Sequence, residues 1–167
     1  MVWGEHANCG LNITATGSVD AFLTEWIEAV ERDFNHPSVI GWCPFNETWD
    51  TDGNRQNDTL LRTVYRVTKA LDPTRPVIDT SGNFHVETDI FDVHDYEQDP
   101  ELFASHYTKI LDGILEDTIY RNPQLRDRQK YDGVQPTFVS EYGGIQWSMG
   151  KTGWGYGNAP KTEQEFI

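Results

Sequence analysis

The sequence predicts an α/β fold in which parallel strands are arranged as a barrel of β/α units. Short apolar runs alternate with stretches of helical periodicity, which is typical of parallel strands joined by helices. Polar residues also gather where the strand candidates end, as at Asn46-Glu47 and at Glu141-Tyr142. In such barrels the carboxyl ends of the strands face the active site. A doubly wound sheet would instead prefer a glycine-rich phosphate turn after an early strand, and the sequence has none.

The first half of the chain gives two strands and two helices. Residues 1–5 predict a strand, and Ser18 is a plausible cap for a helix that runs to about Phe34 with an apolar face. The apolar run at 38–42 predicts the second strand. Residues 57–71 carry apolar side chains at helical spacing, and Asp72-Pro73 closes this helix.

The second half continues the alternation less regularly. Residues 76–81, 89–96 and 136–144 predict strands, and a helix is expected from about Glu101 to Ile119, before a polar loop at 120–135. The gap between 81 and 89 is too short for a full helix, so the pattern is imperfect. Both ends of the sequence look cut from something longer, since it opens inside a strand and stops as a helix begins.

The charge balance limits the classes of partner. The 167 residues include 27 Asp and Glu against 13 Lys and Arg, a net charge of -14. Nucleic acid needs basic patches to neutralise phosphates, so it is excluded as a partner, and an anionic membrane surface is equally unsuitable. No transmembrane run or signal peptide is visible. A neutral sugar is compatible, and six Trp and seven Tyr could either stack on sugar rings or pack the core.

Neither the cysteines nor the acidic clusters predict a metal site. Cys9 and Cys43 form no disulfide framework and are expected to be buried thiols, which leaves the compartment open with the cytoplasm favoured. Two groups contain possible metal ligands but match no known spacing. These are Glu5 with His6, and His85 with Glu87 and Asp89. We therefore predict no metal and no cofactor.

Two glutamates, Glu47 and Glu141, each close an apolar strand among aromatic residues. A fold that brings strand ends together would place these two carboxyl groups across one cleft. Such a pair suits glycosidic bond cleavage, in which one carboxyl group donates a proton and the other stays ionised. The alternative is that both are strand-end carboxylates that cap helices or pair with arginines.

Three segments resemble the catalytic domain of glycoside hydrolase family 2, the group of β-galactosidases, β-glucuronidases and β-mannosidases. "HPSVIGWCPFNE" is similar to the family's acid/base segment at the end of the fourth barrel strand, and "PTFVSEYGG" to its nucleophile segment at the end of the seventh. "DVHDY" falls where the family has its sixth strand. The three segments occur in the family's order and spacing, so the resemblance covers essentially the whole chain.

The resemblance implies roles for individual residues. Glu47 would be the general acid/base, Glu141 the nucleophile, and Asn46 a hydrogen-bond partner of the sugar 2-hydroxyl. Tyr96 would orient the nucleophile and His94 would bind a sugar hydroxyl, although both could equally be packed strand-end residues. Trp49 and Trp147 are candidates for stacking on the faces of a sugar. Trp42, inside a strand, is expected in the core.

The implied enzyme is a retaining, β-galactosidase-like β-glycosidase that acts by double displacement on a carbohydrate substrate. A (β/α)8 TIM barrel needs roughly 250 residues, so the chain would be a partial barrel of about strands three to seven. Residues 1–167 are then expected to be a fragment of the catalytic domain, inactive alone, from a parent that could be a homo-oligomer. A non-catalytic carbohydrate-binding module, a truncated remnant and another retaining glycosidase of the same clan remain alternatives. The acidic composition disfavours an anionic glucuronide.

Overall fold

The computed structural model describes residues 1–50, 52–82, 84–108, 131, 133–147 and 152–167. Strands and helices alternate along these segments, as the sequence predicted. In chain order the main elements are β1 (Val2–Glu5), α1 (Val19–Asp33), β2 (Val39–Cys43), α2 (Asp58–Leu71), β3 (Phe91–Asp95), α3 (Pro100–Tyr107), β4 (Thr137–Tyr142) and the single turn α4 (Glu163–Phe166).

Helices α1 and α2 form where the periodicity of apolar residues places one face inward. Phe22, Trp26 and Val30 are buried on α1, and α2 buries five residues on its own inner face. The Asn57 side chain accepts hydrogen bonds from the backbone N–H groups of Thr59 and Leu60, which satisfies two of the free donors at the start of α2. Ser18 precedes α1 as expected, but its side chain makes no capping hydrogen bond.

The two helices pack together over β2 in one apolar core. Trp42 of β2 is 1% exposed, as predicted, and its ring meets the Trp26 ring edge to face with centroids 5.9 Å apart. Both indole N–H groups are satisfied, since Trp26 donates to Thr68 Oγ1 and Trp42 donates to Asp72 Oδ2, each at 2.8 Å. This core holds β2 rigidly, and the segment that carries Glu47 follows directly from it.

The strands pair in parallel, as expected for β/α units. β1 pairs with β2, and β3 pairs with β4. The predicted strand at 76–81 is not continuous; it makes isolated bridges, one from Val77 to Trp42 of β2 and one from Ser81 to Asn46 in the segment that follows β2. Between these bridges the Asp79 carboxylate accepts the backbone N–H of Thr80, a local bond that competes with the sheet ladder.

Three further expectations concern side chains and boundaries. Asp99 caps α3, which is described from Pro100 to Tyr107; the remainder of the helix predicted to Ile119, and most of the loop at 120–135, lie outside the described residues. Cys43 is buried as predicted, but Cys9 is exposed because it lies in a turn after β1 rather than in a strand. None of the helices in the described segments is long and apolar enough to cross a bilayer.

Candidate active site

Glu47 and Glu141 reach the site from two different strand ends. Glu47 follows β2 and has a φ of +46°, in the left-handed region that non-glycine residues rarely occupy. Its backbone N–H donates to the Ser81 carbonyl at 2.9 Å, which holds this conformation in place. Glu141 lies within β4 and pairs directly with His94 of β3. Strain of this kind clusters at functional sites, and it fixes the direction of the Glu47 side chain.

The two carboxylates converge on one point. A carboxylate oxygen of Glu47, one of Glu141 and a ring nitrogen of His94 all lie within 4.8 Å of one another. One oxygen of each carboxylate is therefore close enough to the other for both to contact a single group bound between them.

His94 lies between the two glutamates. Its Nδ1 is 2.7 Å from Glu47 Oε1, and its Nε2 is 3.4 Å from Glu141 Oε1. Burial would lower the pKa of His94, but the hydrogen bond to Glu47 and the charges of Glu141 and Asp92 outweigh it and raise the pKa. The side chain is only 4% exposed. His94 thus contacts both carboxylates, and its implied role as a ligand of a sugar hydroxyl stays a prediction.

Tyr96 contacts the other oxygen of Glu141. Its hydroxyl donates a hydrogen bond to Glu141 Oε2, and its ring stacks on Tyr156 with centroids 3.6 Å apart. Burial raises the pKa of Tyr96, and the hydrogen bond to Glu141 raises it further, so the phenol keeps its proton and donates it.

A cavity of about 590 Å³ opens on the Glu47 side of the site. Asn46, Glu47 and Trp49 line it, together with residues that follow β1. The Asn46 backbone is held by two 3.0 Å hydrogen bonds to the Asn8 side chain: Asn8 Nδ2 donates to the Asn46 carbonyl, and the Asn46 N–H donates to Asn8 Oδ1. This volume falls within the range of small-molecule sites.

Comparison with known proteins decides the family. The model of the TIM-barrel domain of glycosyl hydrolases family 2 matches residues 7–158. The chain belongs to glycoside hydrolase family 2. The predicted family is therefore confirmed, and so is the coarser prediction of a TIM-barrel fold.

Individual relatives are glycosidases of uronic acids. The chain is 41% identical to β-glucuronidase of Canis lupus familiaris over 61 residues, which is 36% of this chain and 9% of that protein. The β-D-glucuronidase structure for Dictyoglomus thermophilum is 26% identical with a TM-score of 0.53, and the match covers 84% of this chain and 25% of that one. A galacturonate-bound family 2 β-galacturonidase from Eisenbergiella tayi is 20% identical over 74% of this chain and 21% of its own, with a TM-score of 0.47. Both the canine protein and the thermophile structure are β-glucuronidases, so β-galactosidase specificity finds no support in them.

The two tryptophans predicted to contact sugar lie in different places. Trp49 lines the cavity, is 44% exposed and meets Phe84 edge to face. Trp147 stacks on Phe166 with ring centroids 5.2 Å apart and is not among the residues around the cavity. Trp49 is therefore placed to contact a ligand in this cavity, whereas the described contact of Trp147 is with the final helical turn.

Sequence reasoning missed part of the family 2 site. Glu5, at the end of β1, was considered only as a metal ligand, yet it lines the cavity, and partial burial followed by the charge of Glu141 raises its pKa. Its position at a strand end, like that of Glu47, could have indicated this. Asn8 and Asp92 carried no comparable signal, because one lies in a loop and the other lies inside a strand.

The acidic groups considered as metal ligands serve other purposes. His85 contacts Asp79 and Asp92, whereas Glu87 pairs with Arg66 and Asp89 pairs with Lys69. The ligand atoms of Glu47, His94 and Glu141 are close enough to share a cation. Acidic side chains often meet in this way without one.

Proposed function

We propose that this chain carries the catalytic carboxylates of a retaining β-glycosidase, with Glu47 as the general acid/base and Glu141 as the nucleophile. The convergence of their carboxylate oxygens within 4.8 Å carries the proposal. Membership of family 2 supports it, since two carboxyl groups at this separation suit double displacement.

In the first step Glu141 attacks the anomeric carbon while Glu47 gives its proton to the departing glycosidic oxygen. The C–O bond to the leaving group breaks, and a glycosyl ester forms on Glu141. In the second step Glu47 takes a proton from water, the water oxygen attacks the same carbon, and the Glu141 carboxylate leaves. Asn46 binds the sugar 2-hydroxyl, and Tyr96 keeps Glu141 oriented through the bond to its Oε2.

We further propose that β1, β2, residues 76–81, β3 and β4 are strands three to seven of the barrel, in that order. The parallel pairing, the bridge of β2 to Val77 and the bridge of Asn46 to Ser81 support this assignment. The chain spans 9% of the curated relative and 25% of the thermophile structure. On this assignment residues 1–167 form a fragment of the catalytic domain, and alone they turn over substrate very weakly or not at all.

The sugar class is a β-glycoside, and two candidates need a direct comparison. The names of the relatives favour a β-glucuronide. The charges of the site favour a neutral sugar, because the described residues around the cavity include two glutamates and no lysine or arginine. A uronic acid bound there would need a cation from outside this lining.

The experiment measures hydrolysis of aryl β-galactosides and β-glucuronides by the 167-residue chain. The same assay is run on a protein in which this segment is completed to an eight-stranded barrel, called the closed barrel below. Proton NMR should show the first product with retained anomeric configuration. Glu141→Gln should abolish turnover, whereas Glu47→Gln should slow substrates with poor leaving groups far more than activated aryl glycosides. Inverted product, or Glu141→Gln turnover equal to that of the unchanged protein, would refute the assignment.

A non-catalytic carbohydrate-binding role is the second candidate, because several aromatic rings are open to solvent. Trp49, Tyr142 and Trp154 are 44%, 70% and 80% exposed, and such rings bind sugar faces. Calorimetric titration with oligosaccharides separates the two functions. Binding that is unchanged in the Glu47→Gln/Glu141→Gln double variant, without hydrolysis by a closed barrel, would favour the binding role.

A further inference from the structure

A buried charged group lies next to the two glutamates and has no role in the steps described above. It consists of Asp79, His85 and Asp92, and we call it the buried ion triplet. His85 Nδ1 is 2.7 Å from Asp79 Oδ1, and His85 Nε2 is 3.1 Å from Asp92 Oδ1 and 2.9 Å from the Asp92 carbonyl. The side chains of all three are at most 5% exposed. Burying charge in this way is expensive unless each group is paired.

The hydrogen bonds define the charge of His85. A carbonyl oxygen only accepts, so His85 Nε2 must carry a proton. Both oxygens of Asp79 act as acceptors, since together they accept three backbone N–H groups, so His85 Nδ1 donates to Asp79 as well. His85 is therefore an imidazolium between two carboxylates. Burial would lower its pKa, but the bonds to Asp79 and Asp92 raise it to about 10.

Asp92 links the buried ion triplet to His94 through the Ser81 hydroxyl. Asp92 Oδ2 accepts the Ser81 hydroxyl at 2.6 Å, the Gly82 N–H at 3.1 Å and the Ser140 hydroxyl. A serine hydroxyl has a single proton, and the Ser81 proton points at Asp92. The Ser140 hydroxyl, 3.3 Å from Ser81 Oγ, also gives its proton to Asp92. Ser81 Oγ therefore accepts at its contact with His94 Nε2 at 2.9 Å, which requires a proton on that nitrogen.

We propose that the buried ion triplet is a positioning unit that acts through Ser81. It holds a proton on Nε2 of His94, so that Nδ1 of His94 and Oε1 of Glu47 share one further proton across their 2.7 Å contact. The inference rests on the proposed function only in identifying the shared proton as the one that Glu47 gives to the leaving oxygen.

The protons then balance over the two steps of the reaction. Before reaction the shared proton lies on Glu47 or on His94, and it moves to the glycosidic oxygen as the bond to the leaving group breaks. This leaves a Glu47 carboxylate beside a neutral His94 that keeps its Nε2 proton. In the second step the proton taken from water restores the starting state.

The groups around His94 all favour its protonated form electrostatically. Those that face it are the carboxyl groups of Glu5, Glu47, Asp92 and Glu141 and the phenol of Tyr96, contributed by β1, β3, β4 and the segments that follow β2 and β3. Of these groups, Asp92 is the one that accepts the Ser81 hydroxyl. A change at Ser81 therefore separates an effect of the buried ion triplet on the His94 tautomer from a general effect of negative charge.

The test is a ¹⁵N NMR titration of the histidine rings in the 167-residue chain, between about pH 5 and pH 9, where imidazoles change charge. The His94→Gln spectrum identifies the His94 signals. We expect Nε2 of His94 to stay protonated throughout, so that the neutral ring is the Nε2–H form. A neutral ring protonated at Nδ1 instead would overturn the inference, and this result needs no variant of the network.

Variants test the path. In Ser81→Ala the preference for the Nε2–H form should disappear, and Ser81→Thr, which keeps the hydroxyl, should restore it. Asp92→Asn should lower the His94 titration midpoint by about one pH unit, a tenfold loss of proton affinity. The control is His106→Gln, which removes another His–Asp pair, with Nδ1 2.8 Å from Asp95 Oδ2, and should leave the His94 signals unchanged.

A Ser81→Ala spectrum identical to that of the unchanged chain would overturn the proposal even if Asp92→Asn fails to fold. None of these spectra depends on turnover. Absence of hydrolysis by a closed barrel would therefore refute the proposed function alone, whereas an Nδ1–H form of His94 would refute this inference alone.

Discussion

Asp72→Asn should destabilise the chain more than any change at an exposed ion pair. Asp72 follows α2, and its carboxylate lies close to the surface but is fully covered, with 0% of it exposed. It accepts the Trp42 indole N–H at 2.8 Å, the Arg75 guanidinium at 2.6 Å, and the Thr74 backbone N–H and hydroxyl at 3.0 and 2.6 Å. This one side chain therefore ties the end of α2 to the strand that leads to Glu47.

The expected loss in the free energy of unfolding follows from the interactions that the asparagine amide cannot make. Asparagine keeps one acceptor oxygen but removes the charge opposite Arg75. Breaking a buried pair by removing one partner costs about 3–5 kcal/mol. We expect the lower end, about 3 kcal/mol, because Arg75 is 18% exposed and still donates to the carbonyls of Val39 and Phe34. This is a large share of the total stability of a typical domain, about 5–15 kcal/mol.

Urea unfolding followed by tryptophan fluorescence measures the loss as a shift in midpoint at constant slope. Burial would raise the pKa of Asp72, but its bonds to Thr74, Arg75 and Trp42 together hold the pKa well below the usual range. Because the folded pKa lies below the unfolded value of about 3.9, the stabilisation is complete above about pH 5 and is lost as the pH falls. The difference between the unchanged chain and Asp72→Asn should therefore shrink in acid.

The control is Asp33→Asn, which removes an exposed partner of Arg32 and should shift the midpoint little. An Asp72→Asn midpoint equal to that of Asp33→Asn at neutral pH would refute the reasoning. So would a difference from the unchanged chain that stays constant as the pH falls.

Three further changes test the core and the site. Leu61→Ala, at a fully buried position of α2, should cost about 2–5 kcal/mol in urea unfolding; a cost below about 1 kcal/mol would contradict the packing described. Gly82→Ala would place a methyl group 2.3 Å from the His94 ring and should shift the His94 NMR signals, whereas Gly53→Ala, at a similar positive φ with open space around it, should not. Tyr96→Phe should lower kcat in a closed barrel by about 10–100-fold with little change in KM, because it removes a hydrogen bond to a charged group in the transition state. An unchanged kcat would refute the orienting role of Tyr96.

The sequence predicted those elements whose pattern and tertiary environment agree. Helices α1 and α2 bury the faces that their periodicity marks, and Trp42 lies in the core as expected. The segment 76–81 has the apolar composition of a strand, but the Asp79 side chain bonds the backbone locally, and the segment makes two isolated bridges, to Trp42 and Asn46, instead of a continuous ladder. Apolar composition does not reveal such competition between a side chain and the sheet.

The same division applies to the site. Glu47 and Glu141 could be predicted because parallel strands bring their carboxyl ends together. The place of His94 between them depends on the register of β3 against β4, in which His94 lies opposite Glu141 after an irregularity in the pairing. Alternation along a strand does not fix that register, and the contacts of Asp92 with Ser81 and Ser140 depend on it in turn.

The central claim is that Glu141 is the group that bonds to the sugar while Glu47 moves the proton. Mass spectrometry of a closed barrel carrying this segment, after reaction with an activated 2-deoxy-2-fluoro-β-glycoside that is slow to hydrolyse, tests it most directly. We predict one added glycosyl group on the peptide that contains Glu141, and none after Glu141→Gln. A label on Glu47 or on any other carboxylate would contradict the account.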